Sequence, residues 1–468
     1  MALLSCCLIT ASLLLTATTA AAENAATETP SEPRHVILII GDGMDEQQVT
    51  IARNYLAGAQ GQLLMDSMPI RGASQILTIE DKVDGGPVYV ADSANTATSL
   101  ATGEITSRGR LATSAGADKD LPTIVELAEA AGYRTGLVST ASVTDATPAS
   151  FAAHINLRYC QNPETIESVL YHDIELGSCA QDMKARGGLG SISEQLADSQ
   201  VDVILGGGAK HFAPTAEGMA ISVRELAQKN GFKVVDSIAT LEGSDPTQRL
   251  LGLFSDDTMP VRLRGQDGRS AEEPEPSLLN HVHQYLGEVT MPAPMDCEKN
   301  PDFEGIPTLK QMTDKALEHL SLHNSRGFFL MIESASIDKQ SHERKPCGSI
   351  GEVEQLNEAL ASALAFAETH PNTLVLVTAD HSQAAQLIPE ISLFAAFPIP
   401  TYTPGKVARI NTPEGGRMAV NYATTNFMME EHTGAAVPLY SNAEGHGIIP
   451  TFVPQPQLFN IMSDYLGL

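Results

Sequence analysis

The chain is short of positive charge. Its 468 residues carry 29 lysines and arginines against 57 aspartates and glutamates, a formal net charge of −28. A surface with that balance repels polyanions, which argues against a nucleic-acid-binding role and against adsorption to anionic membranes. Beyond the first 22 residues the sequence has no apolar stretch long enough to cross a bilayer, so no membrane span is expected. It has no internal repeat and no low-complexity tract. There is no C-x-x-C spacing, so a thiolate metal site has little support. The triple glycine at 206–208 lacks the Lys and Ser/Thr of a P-loop and reads as a close-packed turn.

The opening MALLSCCLITASLLLTATTAAA is apolar but too short for a comfortable span, and Ala20 and Ala22 offer an A-x-A cleavage site. Residues 1–22 therefore read as a secretory signal peptide, although one whose start lacks Lys or Arg. A lipid anchor on Cys6 fits less well, because the apolar run continues past it. Residues 23–34 read as a mobile leader and 35–468 as the folded part, in which one large α/β domain or two smaller ones would fit. Four cysteines remain after cleavage: Cys160, Cys179, Cys297 and Cys347. An even number in an exported chain suggests two disulfides. Three pairings are possible, of which near neighbours favour Cys160–Cys179 and leave Cys297–Cys347.

The runs HVILII at 35–40, FFLMIE at 328–333 and LVLVT at 374–378 are continuous and apolar, as expected of strands buried on both faces. Helix-like stretches at 47–57, 121–131, 308–321 and 350–369 alternate with them, with a strand at 135–140 and a helix-then-strand pattern over 194–205. The alternation predicts a large, mostly parallel α/β sheet with helices on both faces. Residues 88–90 read as a strand end before a helix that follows Ser93, and TDATP at 144–148 leads into a helix-like run to Arg158. Residues 213–300 are less regular. Residues 389–430, punctuated by Pro and Gly, read as a small insertion forming a lid or an oligomer contact.

Strand ends carry acids or a nucleophile: Asp42, Ser93, Glu333 and Asp380. A serine at a strand-to-helix turn lies beside free backbone N–H groups and the positive end of a helix, where it can bind a phosphate and attack it. The bland reading of Ser93 is an ordinary N-cap. Asp338 and His342 are four apart and share one face of a helical turn. Asp380 and His381 are adjacent, and His432 follows in EHTG. Carboxylate and imidazole together suit zinc. One such pair alone is usually a solvated surface, and it is the recurrence at buried strand ends that points to metal. His172, His211, His281, His283 and His446 lack that setting and read as surface or core residues.

GDGM at 41–44, ADSANTAT at 91–98, TDATP at 144–148, AHINLRYC at 153–160, IESASIDKQSH at 332–342, VTADHS at 377–382 and EHTG at 431–434 occur in that order. Over nearly all of its mature length the chain resembles the bacterial periplasmic alkaline phosphatases. The resemblance implies hydrolysis of small phosphate monoesters through a phosphorylated Ser93, with a broad substrate range and a role in phosphate scavenging. It implies that Arg158 clamps two phosphate oxygens and that Lys339 reaches the phosphate through water. One zinc would be held by Asp338, His342 and His432, and a second by Asp42, Asp380 and His381. A magnesium would use Asp42, Thr147 and Glu333, with Asp145 nearby through water. The cofactors implied are two Zn2+ and one Mg2+ per chain, though such ligands also accept cobalt or other divalent ions. A homodimer, an exported location and the cysteine pairing above are implied as well. Asp45 and Asn95 depart from the family's usual small residues, beside the site but without removing a ligand. The rival readings are a phosphodiesterase or sulfatase of the same superfamily, and an exported metal- or phosphate-binding protein without turnover. Ser93→Ala separates enzyme from binder.

Overall fold

The computed structural model describes residues 32–171, 174–283, 285–392 and 403–468. The segments expected to be a signal peptide (1–22) and, up to residue 31, a leader, together with His172 and part of the 389–430 stretch, lie outside the described residues. Among the described residues the main sheet has ten strands. In chain order these are β1 (Arg34–Gly41), β2 (Ile70–Gln75), β3 (Arg134–Ser142), β4 (Val203–Gly207) and β5 (Phe232–Val235). They continue with β6 (Arg249–Leu253), β7 (Gly327–Ser334), β8 (Thr373–Ala379), β9 (Val437–Ser441) and β10 (Phe452–Pro454). Their spatial order is β10-β2-β9-β8-β1-β7-β3-β4-β6-β5, and β9 alone runs against the rest.

The continuous apolar strands explain the layering. In β1, Ile37 and Ile39 enter one core while Val36, Leu38 and Ile40 enter the other. In β7, Phe328, Leu330 and Ile332 part from Phe329 and Met331 in the same way. A strand with apolar side chains on both faces needs a helical layer on each side. The first core is covered by α1 (Glu46–Leu56), α3 (Leu309–Ser321) and α5 (Pro346–Thr369). The second is covered by α2 (Ser93–Thr102) and α6 (Pro456–Leu466). The short helix α4 (Ser336–His342) follows β7 directly. Disulfides join Cys160 to Cys179 and Cys297 to Cys347, with Cα atoms 6.3 and 5.4 Å apart.

Several elements differ from the sequence reading. Pro87–Val88 is strand but pairs only with Thr78–Ile79, so Ser93 hangs from a peripheral ribbon and not from the main sheet. The helix expected to run from TDATP to Arg158 instead starts inside that motif and spans only Ala146–Ala149. Beyond it Ile155 pairs with Leu111, and Arg158 N–H donates to the Gly109 carbonyl at 2.7 Å, which draws the chain into an extended path. The irregular 213–300 stretch supplies β5 and β6. Within the insertion, Lys406–Asn411 and Arg417–Tyr422 form a three-stranded antiparallel sheet with Gln386–Ile388, and Ala408, Ile410, Val420 and Tyr422 join the first core. At 206–208 a Cβ on Gly207 would stand 1.9 Å from the Asp257 carbonyl oxygen, which is the close-packed turn expected there.

Candidate active site

The parallel strands deliver their carboxyl ends to one edge of the sheet. Register does the placing: Ile40 of β1 lies opposite Glu333 of β7, and Gly41 lies opposite Ala379 of β8. Asp42 therefore emerges between Glu333 and Asp380. Gly43 turns the chain away at φ +68°, and a Cβ there would stand 3.1 Å from Asp338 Cβ, so the turn needs glycine for both its backbone angle and its space.

Ser93 is the first residue of α2, and Asp92 is the cap. The Asp92 carboxylate accepts the Asn95 N–H at 3.1 Å and the Gly109 N–H at 3.0 Å. Because Asp92 satisfies the helix end, the Ser93 hydroxyl is not spent on capping. It lies 3.1 Å from His381 Nε2 and 3.5 Å from Asp42 Oδ1. His381 Nδ1 donates to the Ser382 carbonyl at 3.2 Å, which leaves Nε2 with its lone pair facing Ser93. His381 Nε2 is also 3.3 Å from Asp42 Oδ1 and 3.4 Å from Asp380 Oδ2. Burial keeps this imidazole below its usual pKa and neutral.

The neighbouring cluster joins α4 to the loop before β9. His342 Nε2 lies 3.3 Å from Asp338 Oδ2, and His432 Nε2 lies 3.4 Å from Asp338 Oδ1. The two Nε2 atoms are 3.0 Å apart. His342 Nδ1 donates to the Glu430 carbonyl at 2.5 Å and His432 Nδ1 to the Ala91 carbonyl at 2.8 Å. Both rings thus turn an Nε2 toward the same carboxylate, an arrangement that suits a divalent cation. Burial alone would depress His432, but Asp338 outweighs it and pushes the imidazole up to about 9. Burial would raise Asp338, and the two imidazoles instead hold it well below the carboxylate range.

The carboxylates beyond Asp42 crowd one another. Burial, then Asp380, Asp338 and Glu333, push Asp42 well above its ordinary pKa. Burial takes Glu333 up to about 8, against a hydrogen bond from Ser139. Thr147 Oγ1 sits beside Glu333 and favours its ionised form, yet this buried hydroxyl makes no well-formed hydrogen bond. A buried anionic cluster with an orphaned hydroxyl is what a hard cation with oxygen ligands would satisfy.

Opposite lies the cationic side. Arg158 donates from Nη1 to Asp92 Oδ2 at 3.4 Å and from Nη2 to Asp145 Oδ1 at 2.9 Å. Lys339 Nζ bonds the other oxygen of Asp145. Burial opposes ionisation of all three, but their mutual attraction wins: Asp145 is held low and both cations are held high. Every sequence-predicted site residue therefore lies at this one edge.

Sequence reasoning missed Asp92, which caps the serine helix and braces Arg158. It also missed Gln383, whose Nε2 donates to Asp338 Oδ1 at 2.6 Å, and Ser139 beside Glu333. Only Asp92 had a local signal, an acid one residue before the helix. Asp45 caps α1 through the Gln47 and Gln48 N–H groups at 2.9 and 3.0 Å, and burial raises it to about 6. Asn95 accepts the Asp92 N–H at 2.9 Å and donates to the Leu77 carbonyl at 3.2 Å. Both departures serve helix ends.

The family model for alkaline phosphatase matches residues 33–446. The chain belongs to the alkaline phosphatase family. It is 39% identical over 459 residues to the alkaline phosphatase of Escherichia coli, covering 96% of this chain and 89% of that protein. It is 38% identical over 471 residues to the streptomycin-6-phosphate phosphatase of Streptomyces griseus, covering 98% and 96%. Among solved structures, the alkaline phosphatase from the Antarctic bacterium TAB5 shares the fold with a TM-score of 0.63 at 21% identity, covering 93% of this chain and 99% of that one. As a member of the alkaline phosphatase family the chain is a metal-dependent hydrolase of phosphate monoesters.

Proposed function

We propose that hydrolysis runs through a phosphoserine at Ser93, with two zinc ions and one magnesium ion as resident cofactors. The observation that carries this reading is the Ser93 hydroxyl, freed from capping and set 3.1 Å from His381 Nε2 where both carboxylate–imidazole clusters meet. Asp338, His342 and His432 would hold one zinc, and Asp42, Asp380 and His381 the other. Asp42, Glu333 and Thr147 would hold magnesium, with Asp145 nearby through water. The crowding that raises Asp42 and Glu333, and the orphaned Thr147 hydroxyl, are what such cations relieve. When bound, the ions supply Lewis acidity that lowers the pKa of a hydroxyl or water and offsets the charge of the phosphate.

The chain's own residues account for the rest. The Ser93 oxygen bonds to phosphorus as the bond to the leaving oxygen breaks, and the proton that Ser93 gives up to water is matched by one that the leaving oxygen takes from water, so that an alcohol departs. Water then attacks the phosphoserine, the serine–phosphorus bond breaks, and inorganic phosphate leaves. The guanidinium plane of Arg158 is fixed by Asp92 and Asp145, and it presents N–H groups to two phosphate oxygens. Lys339 reaches the phosphate through water. Two cations together favour the extra charge of a terminal phosphate over a diester. The substrate class is broad, small phosphomonoesters, used in phosphate scavenging. The Streptomyces griseus relative is named for one phosphate ester, streptomycin 6-phosphate.

The apolar 1–22 segment and the two disulfides support an exported protein in an oxidising compartment such as the periplasm. A homodimer fits the family, with the 389–430 insertion as a lid or dimer contact. The deciding assay compares p-nitrophenyl phosphate with bis-p-nitrophenyl phosphate before and after chelation, then with zinc and magnesium restored. Monoester turnover, lost on chelation and regained with both metals, is expected. Diester preference would move the protein to the phosphodiesterase reading. Acid-quenched protein should carry phosphate on Ser93, and Ser93→Ala should carry none.

A further inference from the structure

The loop that brings His432 to the site is not held by its own apolar side chains. Phe427 and Met428, which would be its natural anchors, are both 63% exposed. On the side facing α4 the loop is held by a buried ion pair outside the ligand set, while beyond His432 the Ser382 hydroxyl donates to the Thr433 carbonyl at 2.6 Å. Arg344, two residues beyond His342 and in the left-handed region at φ +61°, points into the loop. Its Nε donates to Glu430 Oε1 at 2.6 Å, Nη1 to the Met428 carbonyl at 2.9 Å and Nη2 to the Phe427 carbonyl at 2.7 Å. The other Glu430 oxygen accepts the Thr424 and Thr425 N–H groups at 3.0 and 3.3 Å and the Thr424 hydroxyl at 2.5 Å. Arg344 and Glu430 are 4% and 1% exposed.

The backbone of Glu430 continues the connection. Its N–H donates to the His342 carbonyl at 3.0 Å, and its carbonyl accepts His342 Nδ1. One residue thus fixes the tautomer and ring direction of His342 and, two residues later, the approach of His432. A metal-bound imidazole depends on what its other nitrogen bonds, because that partner sets the lone pair and its basicity.

We infer that Arg344 and Glu430 are a positioning pair that aligns His342 and His432 and thereby sets the zinc affinity of the Asp338, His342 and His432 cluster. The inference rests on the zinc assignment proposed above. The pair touches neither substrate nor metal. It acts by holding the loop against the end of α4.

The test is a zinc titration of the full-length, metal-stripped protein against a chromophoric chelator. The variants are Glu430→Gln, Arg344→Gln and Arg344→Lys, with His342→Ala as control. Glu430→Gln and Arg344→Gln should each weaken one zinc site by about 10–100-fold, the usual scale for losing a partner behind a ligand. Turnover of the monoester should recover as zinc is raised. Arg344→Lys keeps the charge and should recover much of the affinity. Glu430→Gln is nearly isosteric and keeps one acceptor oxygen, which can still serve Thr424 and Thr425 while the amide NH2 faces Arg344, so it tests the idea even if an arginine variant does not fold. Zinc affinity unchanged in Glu430→Gln and Arg344→Gln, with only the melting temperature of the stripped protein lowered, would overturn the proposal and leave the pair a structural brace. If His342→Ala also leaves zinc affinity unchanged, the zinc assignment itself fails, and the inference with it.

Discussion

Asp42, Asp380 and His381 stand on the ends of β1 and β8, two adjacent strands of the sheet, and all three are buried. Asp338, His342 and His432 stand on a seven-residue helix and a loop, and both imidazoles are partly exposed. The inner cluster is placed by strand register, which cannot slip without moving whole rows of core side chains. The outer cluster is placed by side-chain and loop bonds, those of Glu430 and Arg344 at one end of the loop and those of Ser382 and Ala91 at the other. Two sites of similar chemistry, side by side, therefore differ in what would disturb them. The inner one should be rigid and slow to exchange, the outer one adjustable.

Ser93→Ala strikes where both clusters meet and has the largest expected effect. It should lower kcat for p-nitrophenyl phosphate by more than about 10⁴-fold, as loss of a covalent nucleophile does. Arg158→Lys comes next, because it leaves the charge and removes the planar fork. The inhibition constant for inorganic phosphate should rise roughly 10- to 150-fold, equivalent to about 1.5–3 kcal/mol for a charged hydrogen bond. Chelation sharpens the contrast directly. During dialysis against a chelator, the zinc that leaves first should be the one whose loss rate Glu430→Gln increases, and the second should leave at the wild-type rate. Simultaneous loss at one rate would erase the distinction between the clusters.

The smallest effect is on the stability of the metal-free protein. Glu333 titrates at about 8 in the fold against an ordinary 4.5, and His432 at about 9 against 6.5. Both folded values are raised, so across these windows the native state binds more protons than the unfolded chain, and stability falls as pH rises. The contributions are fully present below the unfolded values and are lost as pH passes through the folded ones. Calorimetry of the stripped protein from about pH 5 to about pH 9 should show a melting temperature that declines by a few degrees beyond the metal-loaded protein's change. A rising value would reverse the assigned signs.

The same contrast explains how far the sequence could be read. HVILII, FFLMIE and LVLVT announce buried parallel strands because both faces need cover, and the acids at their ends follow from that. Asp338 and His342 are legible through their spacing of four. The antiparallel β9, the two-residue ribbon before Ser93 and the extended path to Arg158 are not, since each depends on a partner far along the chain. Gln383, Arg344 and Glu430 are likewise silent in sequence. Each is an ordinary polar residue until the fold buries it beside a ligand, and no local pattern marks that event.

The central position of β1 has a consequence for how the molecule is made. The strand is the first of the sheet to be synthesised, yet its neighbours on both sides, β7 and β8, come from the last third of the chain. Its five consecutive apolar residues, Val36 to Ile40, stay unpaired while most of the protein is still being produced. Pairings so distant in sequence are slow to form, and an unpaired apolar strand is open to wrong partners meanwhile. Nascent chains cut short before β8 should therefore aggregate more readily than the complete chain, through the unpaired strand near their own beginnings.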